Sequence, residues 1–216
     1  MIAVIDYGAG NIRSVIRALA ALGISGKVTQ APGDILKAKA VILPGVGAAG
    51  DCVKSLRALG LDDAIRETVE KQRPFLGVCL GLQILFDATE EGGIQPCLGL
   101  LRGSVKKLPP GLKVPHMGWN QVRQVPELSP YPIFSGIPQD TSFYFVHSYY
   151  AQAEDPSLVI GETDYGVTFC SALARGNLVA TQFHPEKSGA LGLRIYQNFL
   201  TYFVGEETVH SLPVGK

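Results

Sequence analysis

The chain has 216 residues, of which 46% are hydrophobic and 18% are charged, and its formal net charge is zero. This composition fits one globular domain, and the neutral charge and short apolar runs do not support nucleic-acid binding or a membrane span. The four cysteines lack the spacing of a zinc site or a disulfide framework, which favours a reducing, cytoplasmic setting.

The first half of the chain alternates short apolar strands with amphipathic helices. Residues 1–6 lack a basic leader, so we interpret them as the start of a strand and not as a signal peptide. The Gly-rich residues 7–11 are interpreted as a tight turn, because their glycine spacing does not fit a dinucleotide fingerprint. Strands are predicted at residues 2–5, 28–30, 40–43 and 74–78, and helices at 12–22, 34–37, 52–59, 61–72 and 80–86.

This alternation predicts an α/β fold with a parallel, doubly wound sheet. Ligands of such sheets bind beyond the carboxyl ends of the strands. Asp6, residues 44–47 and Cys79 each follow or end a predicted strand, so we expect them together at one edge of the sheet.

The second half of the chain changes to a β-rich pattern. Strands are predicted at residues 142–147, 158–162, 167–173 and 178–183, with a hairpin return at 174–177 and a last helix around 193–200. Residues 205–216 are polar with Gly and Pro, which predicts a flexible tail. The domain is therefore expected to span residues 1–204.

Residues 77–81, Gly-Val-Cys-Leu-Gly, place Cys79 where a strand turns into a helix. The two glycines leave room for a strained turn that lifts a nucleophile above the sheet. The helix N-terminus would then favour the thiolate. A small apolar Cys in a core strand is the alternative interpretation.

A base and a carboxylate follow the last predicted strand at His184-Pro185-Glu186. The residue before a proline is held extended, so the side chains of His184 and Glu186 are expected on one face. With Cys79 they complete a nucleophile, a base and an orienting carboxylate. The oxyanion donors are expected to be the backbone N–H groups of Leu80 and of the 44–47 loop, at Val46 and Gly47. The two other histidines of patterned segments, His116 and His147, are interpreted as structural.

Together, the Cys79 elbow with Gln83, the PGVG loop at 44–47 and the HPE segment resemble class I (triad) glutamine amidotransferases. Within that class, four further segments resemble the glutaminase subunits of imidazole glycerol phosphate synthase: DYGAGN (6–11), PHMGWN (115–120), YFVHSY (144–149) and HPEKS (184–188). The resemblance covers residues 1 to about 203. It implies a flavodoxin-like, mixed and mostly parallel sheet flanked by helices, with antiparallel strands in the C-terminal half.

The resemblance implies hydrolysis of L-glutamine to glutamate and ammonia through a γ-glutamyl thioester on Cys79. By matched position, Gln83 contacts the substrate and Glu91 reads its amino end. Gly47 and the backbone of Ser148 and Tyr149 match sites that hold the α-carboxylate and amino groups. Without the resemblance, Gln83 and Glu91 would be interpreted as ordinary polar residues of a helix surface or a loop.

The resemblance also implies a heterodimer with a (β/α)8-barrel cyclase subunit, through which ammonia passes to make imidazole glycerol phosphate and an aminoimidazole carboxamide ribonucleotide (AICAR) in histidine biosynthesis. Asn11, Trp119, Tyr144 and Lys187 match positions near that partner, although core packing is the alternative for the lone Trp119. No metal, other cofactor, nucleic acid or membrane is implied.

The sequence departs from the family in the oxyanion loop, where Ala49 stands at a position that is often Phe. Gly45 and Gly47 permit a peptide flip that turns an N–H into or out of the site. The isolated subunit is therefore expected to have a poorly formed oxyanion hole, completed when the cyclase and its nucleotide bind.

Three other interpretations remain open at this point. The chain fits the glutaminase of another amidotransferase, such as pyridoxal phosphate synthase, although the segment 116–120 argues against it. It also fits a non-catalytic interaction subunit that retains the fold, although such a subunit would not need all three triad residues. Peptide hydrolysis by the same cysteine is the third.

Overall fold

The computed structural model describes residues 1–125 and 131–205. The strands are β1 (Ile2–Ile5), β2 (Gly26–Thr29), β3 (Ala40–Gly45), β4 (Phe75–Cys79), β5 (Ala88–Thr89), β6 (Gln95–Pro96), β7 (Gly103–Lys107), β8 (His116–Gln124), β9 (Thr141–His147), β10 (Tyr149–Ala153), β11 (Val159–Asp164), β12 (Thr168–Arg175) and β13 (Leu178–Thr181). The α-helices are α1 (Ile12–Ala21), α2 (Pro32–Lys37), α3 (Ala49–Ala58), α4 (Leu61–Glu70), α5 (Leu80–Gln83) and α6 (Gly189–Asn198).

A nine-stranded sheet runs through the described part of the chain in the order β2-β1-β3-β4-β13-β12-β11-β8-β9. The pairs from β2 to β13 are parallel and those from β13 to β9 are antiparallel. This mixed α/β architecture confirms the predicted fold class. A second sheet of four strands, β10-β7-β5-β6, was not predicted.

Both faces of the main sheet are covered by helices, because its central strands are apolar on both sides. In β1, the buried Ala3 and Ile5 belong to a core cluster that includes residues of α3 and α4. The alternate residues Ile2 and Val4 belong to a second cluster that includes residues of α1 and α6. Burial on both faces explains the continuous apolar runs seen in the sequence.

The register of three parallel strands brings the predicted chemistry to one edge. Gly45 at the end of β3 pairs with Cys79 at the end of β4, and Val78 pairs with Thr181 at the end of β13. The loop after β3, the nucleophile and the segment containing His184 are therefore neighbours. This is the meeting of strand ends that the alternating pattern predicts.

The helix after Cys79 is shorter than predicted. The spacing predicts a helix to about residue 86, but α5 ends at Gln83 and turns follow it. These turns pair with the next segment, since the Ile84 and Leu85 carbonyls accept from the backbone N–H groups of Leu98 and Leu101. The apolar periodicity past Gln83 therefore reflects burial and not helix.

Part of the predicted tail, residues 206–216, lies outside the described residues, as do residues 126–130. The domain boundary near residue 204 stays a prediction. Within residues 1–125 and 131–205, no helix has the length and apolar character needed to cross a membrane.

Candidate active site

Cys79 occupies a strained elbow between β4 and α5. Its φ is +55°, a value that side-chain-bearing residues rarely adopt. The glycines of the elbow are required by close packing: a Cβ on Gly81 would lie 2.2 Å from the Leu43 carbonyl oxygen, and one on Gly77 would lie 2.6 Å from the Gly81 carbonyl oxygen. The predicted role of the two glycines is thus explained by backbone contacts.

His184 and Glu186 meet as predicted, by a different local geometry. The imidazole Nδ1 lies 2.8 Å from Glu186 Oε1, and both side chains are buried. His184 is extended, but Pro185 begins a short 3-10 turn, so Glu186 reaches back through a turn and not along an extended chain. The same Oε1 accepts a 3.2 Å hydrogen bond from the side-chain amide of Asn11.

The surroundings of His184 favour its charged form. Burial opposes protonation, but the neighbouring Cys79 sulfur and Glu186 carboxylate outweigh it and raise the pKa of the imidazole to about 10. Nε2 is buried and has no hydrogen-bond partner among the described residues. This nitrogen is therefore available to exchange a proton with a reacting group.

A cavity of about 320 Å³ opens beside these groups. The cavity is lined by every predicted triad, oxyanion and substrate residue except Glu186, which lies behind His184. Three further lining residues, Pro115, Val146 and His147, were not predicted. The lining is Val46, Gly47, Cys79, Leu80, Gln83, Glu91, Pro115, Val146, His147, Ser148, Tyr149 and His184.

The oxyanion loop is held by a residue that the sequence interpretation missed. The Val46 N–H donates to the Tyr7 hydroxyl at 3.1 Å, and this hydroxyl donates to the Val46 carbonyl at 3.2 Å. The loop also lies tightly on the elbow, since a Cβ on Gly45 would come within 2.6 Å of Leu80 Cβ. In this conformation the Val46 N–H is already engaged.

Two predicted substrate residues are fixed by hydrogen bonds. Gln83 Nε2 donates to the Tyr149 carbonyl at 2.7 Å and to Gln182 Oε1 at 3.0 Å. Glu91 Oε2 accepts from the Ala49 N–H at 2.6 Å, at the beginning of α3. Neither side chain is an unattached surface group.

The histidines interpreted as structural form a buried chain that begins at the cavity wall with His147. His147 Nδ1 lies 2.8 Å from the Tyr149 carbonyl, which only accepts, so this nitrogen carries a proton. His147 Nε2 then accepts from His116 Nδ1 at 2.9 Å, and His116 Nε2 accepts from the Asn120 amide at 3.3 Å. Burial lowers the pKa of His147 to about 3 and that of His116 to about 4, so both are neutral.

The predicted partner residues lie together beside the triad, with Trp119 and Lys187 exposed and Asn11 and Tyr144 half-buried. Trp119 is 60% exposed, so the core-packing alternative for this residue is wrong. It pairs across the strands with Tyr144, and their rings lie edge to face at 6.3 Å. Lys187 lies over the Tyr144 ring at 5.8 Å, and Asn11 contacts Glu186 next to Lys187 in the chain.

The residues at this site carry no set of metal ligands. Among residues 1–125 and 131–205, no three His, Cys, Asp or Glu side chains are grouped so that they would hold a metal ion. All four cysteines are free and buried.

Comparison with known proteins identifies the family. The model for "Glutamine amidotransferase class-I" matches residues 3–202. The imidazole glycerol phosphate synthase subunit HisH of Dehalococcoides mccartyi (strain CBDB1) is 56% identical over 96% of this chain and 100% of its own length. The HisH subunit of Moorella thermoacetica is 54% identical over 99% of this chain and 98% of its own.

Solved structures give the same fold at low sequence identity. A crystal structure of a glutamine amidotransferase has a TM-score of 0.74 at 22% identity, covering 95% of this chain and 100% of its own. A chain of PurLQS from Thermotoga maritima has a TM-score of 0.73 at 20% identity, covering 93% of this chain and 97% of its own. The chain therefore belongs to the class I glutamine amidotransferases, and within them to the family of the HisH subunits of imidazole glycerol phosphate synthase.

Proposed function

We propose that the chain is the glutaminase subunit of an imidazole glycerol phosphate synthase and delivers ammonia from L-glutamine to a cyclase subunit. Near-full-length identity above 50% to HisH subunits supports the assignment. The observation that carries the chemistry is Cys79 in a strained elbow, sharing one cavity with the free Nε2 of a Glu186-bound histidine.

In the reaction, His184 Nε2 holds the proton of Cys79, and the Cys79 sulfur attacks the side-chain amide carbon of glutamine. Backbone N–H groups around Gly47 and Leu80 stabilise the resulting oxyanion. The C–N bond then breaks as His184 returns the proton to the leaving nitrogen, which gives ammonia and a γ-glutamyl thioester. Water, deprotonated by His184, cleaves the thioester to glutamate and restores Cys79.

Glu186 orients the imidazole and stabilises its cation through the 2.8 Å contact at Nδ1. The walls supply the substrate contacts implied by the family. Gln83, Glu91 and the backbone of Ser148 and Tyr149 border the cavity, where they would hold the amino-acid end of glutamine.

The cluster of Trp119, Tyr144 and Lys187, with Asn11 beside it, is proposed to dock the cyclase subunit. An exposed Trp flanked by a Tyr and a cation has the composition of an interface hot spot. The engaged Val46 N–H supports the further proposal that the isolated subunit is poorly active. Binding of the cyclase and its nucleotide would turn this peptide toward the cavity and complete the oxyanion hole.

The test is Cys79→Ala in the complex with the cyclase. Glutamine-dependent synthesis should fall to background, while synthesis with added ammonium should persist because the cyclase does not need the thiol. Cys170→Ala is the matched control, since Cys170 is buried in β12 and does not line the cavity. Full glutamine-dependent synthesis by Cys79→Ala would refute the proposed nucleophile.

A further inference from the structure

Gln182 is a fully buried side chain that contacts the Cys79 sulfur. It follows β13 directly, and its backbone N–H donates to the Ser171 carbonyl at 2.8 Å, which fixes the residue in place. Its side-chain amide Nε2 lies 3.5 Å from Cys79 Sγ. The triad mechanism does not use this residue.

The direction of this hydrogen bond follows from its neighbours. The Tyr149 carbonyl has no hydrogen to give, so the Gln83 atom 2.7 Å away is the amide nitrogen. The same nitrogen lies 3.0 Å from Gln182, so the Gln182 atom there is the acceptor, Oε1. The other end of Gln182, toward the sulfur, is consequently the N–H donor.

We propose that Gln182 is a further catalytic residue, whose amide N–H stabilises the negative charge on Cys79 Sγ when the proton moves to His184. The inference rests on the proposed role of Cys79 as nucleophile. The charge is present when Cys79 attacks and again when the thioester breaks. Gln182 therefore serves both halves of the reaction.

The site needs such a donor for two reasons. Cys79 is 6% exposed, so water contributes little to solvating a thiolate there. The following helix α5 has four residues, and its small dipole contributes less than the longer predicted helix would. The Val146 carbonyl, 3.8 Å from the sulfur, only accepts and therefore favours the neutral thiol.

The test measures thiolate formation directly. The full-length chain, as wild type and as Gln182→Met, is treated with iodoacetamide between pH 5 and 10, and alkylation of Cys79 is followed by mass spectrometry. Burial raises the pKa of Cys52, Cys97 and Cys170 to about 12, 11 and 12, so these thiols should react slowly.

The loss of a hydrogen bond to a charged group should change the equilibrium between thiol and thiolate by about tenfold. We expect alkylation of Cys79 in Gln182→Met to slow by about that factor at pH 7, because the thiolate has lost a hydrogen-bond donor. The midpoint of the pH profile of alkylation should move upward by about one pH unit. In the complex, kcat should fall by a similar factor with KM nearly unchanged. Gln182→Glu, which keeps the shape but places an oxygen at the sulfur, should shift the midpoint at least as far and serves if the Met variant fails to fold.

Gln124→Met is the matched control. Gln124 is a buried glutamine on β8 whose amide donates to the Ile137 and Pro138 carbonyls, away from the cavity. The Gln124→Met variant should leave the midpoint of Cys79 alkylation unchanged. A wild-type midpoint in a folded Gln182 variant would overturn the inference while leaving the Cys79→Ala result intact. Glutamine-dependent synthesis by Cys79→Ala would instead overturn the proposed function.

Discussion

Tyr7→Phe should make the isolated chain a better glutaminase. The Tyr7 hydroxyl accepts from the Val46 N–H at 3.1 Å and donates to the Val46 carbonyl at 3.2 Å, so it holds the peptides on both sides of this residue. Phenylalanine keeps the buried ring and removes both hydrogen bonds. The Val46 N–H is then free to turn toward the cavity, where an oxyanion donor is needed.

The expected size of the effect follows from these two contacts. A neutral hydrogen bond contributes about 1 kcal/mol net. The two together therefore favour the conformation in which Tyr7 binds the Val46 backbone by about 2 kcal/mol. That energy corresponds to roughly a thirtyfold change in population. Basal glutaminase activity should therefore rise by up to about thirtyfold. Activity in the complex with the cyclase and its nucleotide should change little, because the proposed mechanism has the loop already turned there.

Glutamate release is measured for the chain alone and for the loaded complex. Tyr202→Phe is the control, since it removes a hydroxyl contact to Ser135 at the surface, outside the cavity, and should leave the basal rate unchanged. The proposal that Tyr7 restrains the Val46 peptide would be refuted by a Tyr7→Phe protein whose basal rate is no higher than that of wild type while its complex is fully active.

Three further predictions concern acid stability, packing and docking. The folded pKa of His147 is about 3 and that of an unfolded histidine about 6.5, so the unfolded chain binds an extra proton as the pH falls through this window and stability is lost. From pH 7 to 5 the loss is about 2 kcal/mol. The free energies of unfolding of wild type and His147→Gln, measured in urea, should therefore converge by that amount. The same difference between the two proteins at both pH values would contradict the prediction. Gly81→Ala should destabilise the fold by about 3 kcal/mol or more, because its Cβ meets the Leu43 carbonyl oxygen. Gly33→Ala, in open space on α2, is its control, and equal urea midpoints for the two variants would be inconsistent with the packing argument. Trp119→Ala should weaken cyclase binding by about 2 kcal/mol, roughly thirtyfold in Kd by calorimetry, with little change in stability; an unaltered Kd would remove Trp119 from the interface.

The parts of the site that the sequence predicts are local ones. The Cys79 elbow and the His184–Glu186 pair are each a few residues long, so their spacing indicates which side chains come together. Their meeting follows from the rule that parallel strands end at one edge, which β3, β4 and β13 obey. The extended chain predicted between His184 and Glu186 is nevertheless wrong, since Glu186 reaches His184 through a 3-10 turn.

The parts that the sequence does not predict depend on long-range pairing. Gln182 contacts Cys79 across 103 positions, and Tyr7 contacts Val46 across 39. A buried glutamine or tyrosine carries no periodicity that names such a partner. A signal for Gln182 did exist: it lies two residues before His184 in a strand-like run, so an extended chain would direct both side chains to the same side.

The Gly-rich turn at residues 7–11, which the sequence shows as a simple strand-to-helix connection, contacts both parts of the proposed catalytic site. Its first residue, Tyr7, holds the proposed oxyanion loop at Val46, and its last, Asn11, donates to the Glu186 carboxylate of the proposed triad. Gly8 and Gly10 between them have positive φ angles, so the connection is built from conformations that other residues rarely adopt. Asn11 also lies beside the proposed docking surface. A partner that displaces this short segment would therefore act on the oxyanion donor and on the carboxylate together, and glutamine hydrolysis would be tied to docking through one loop, without a separate signal to each group.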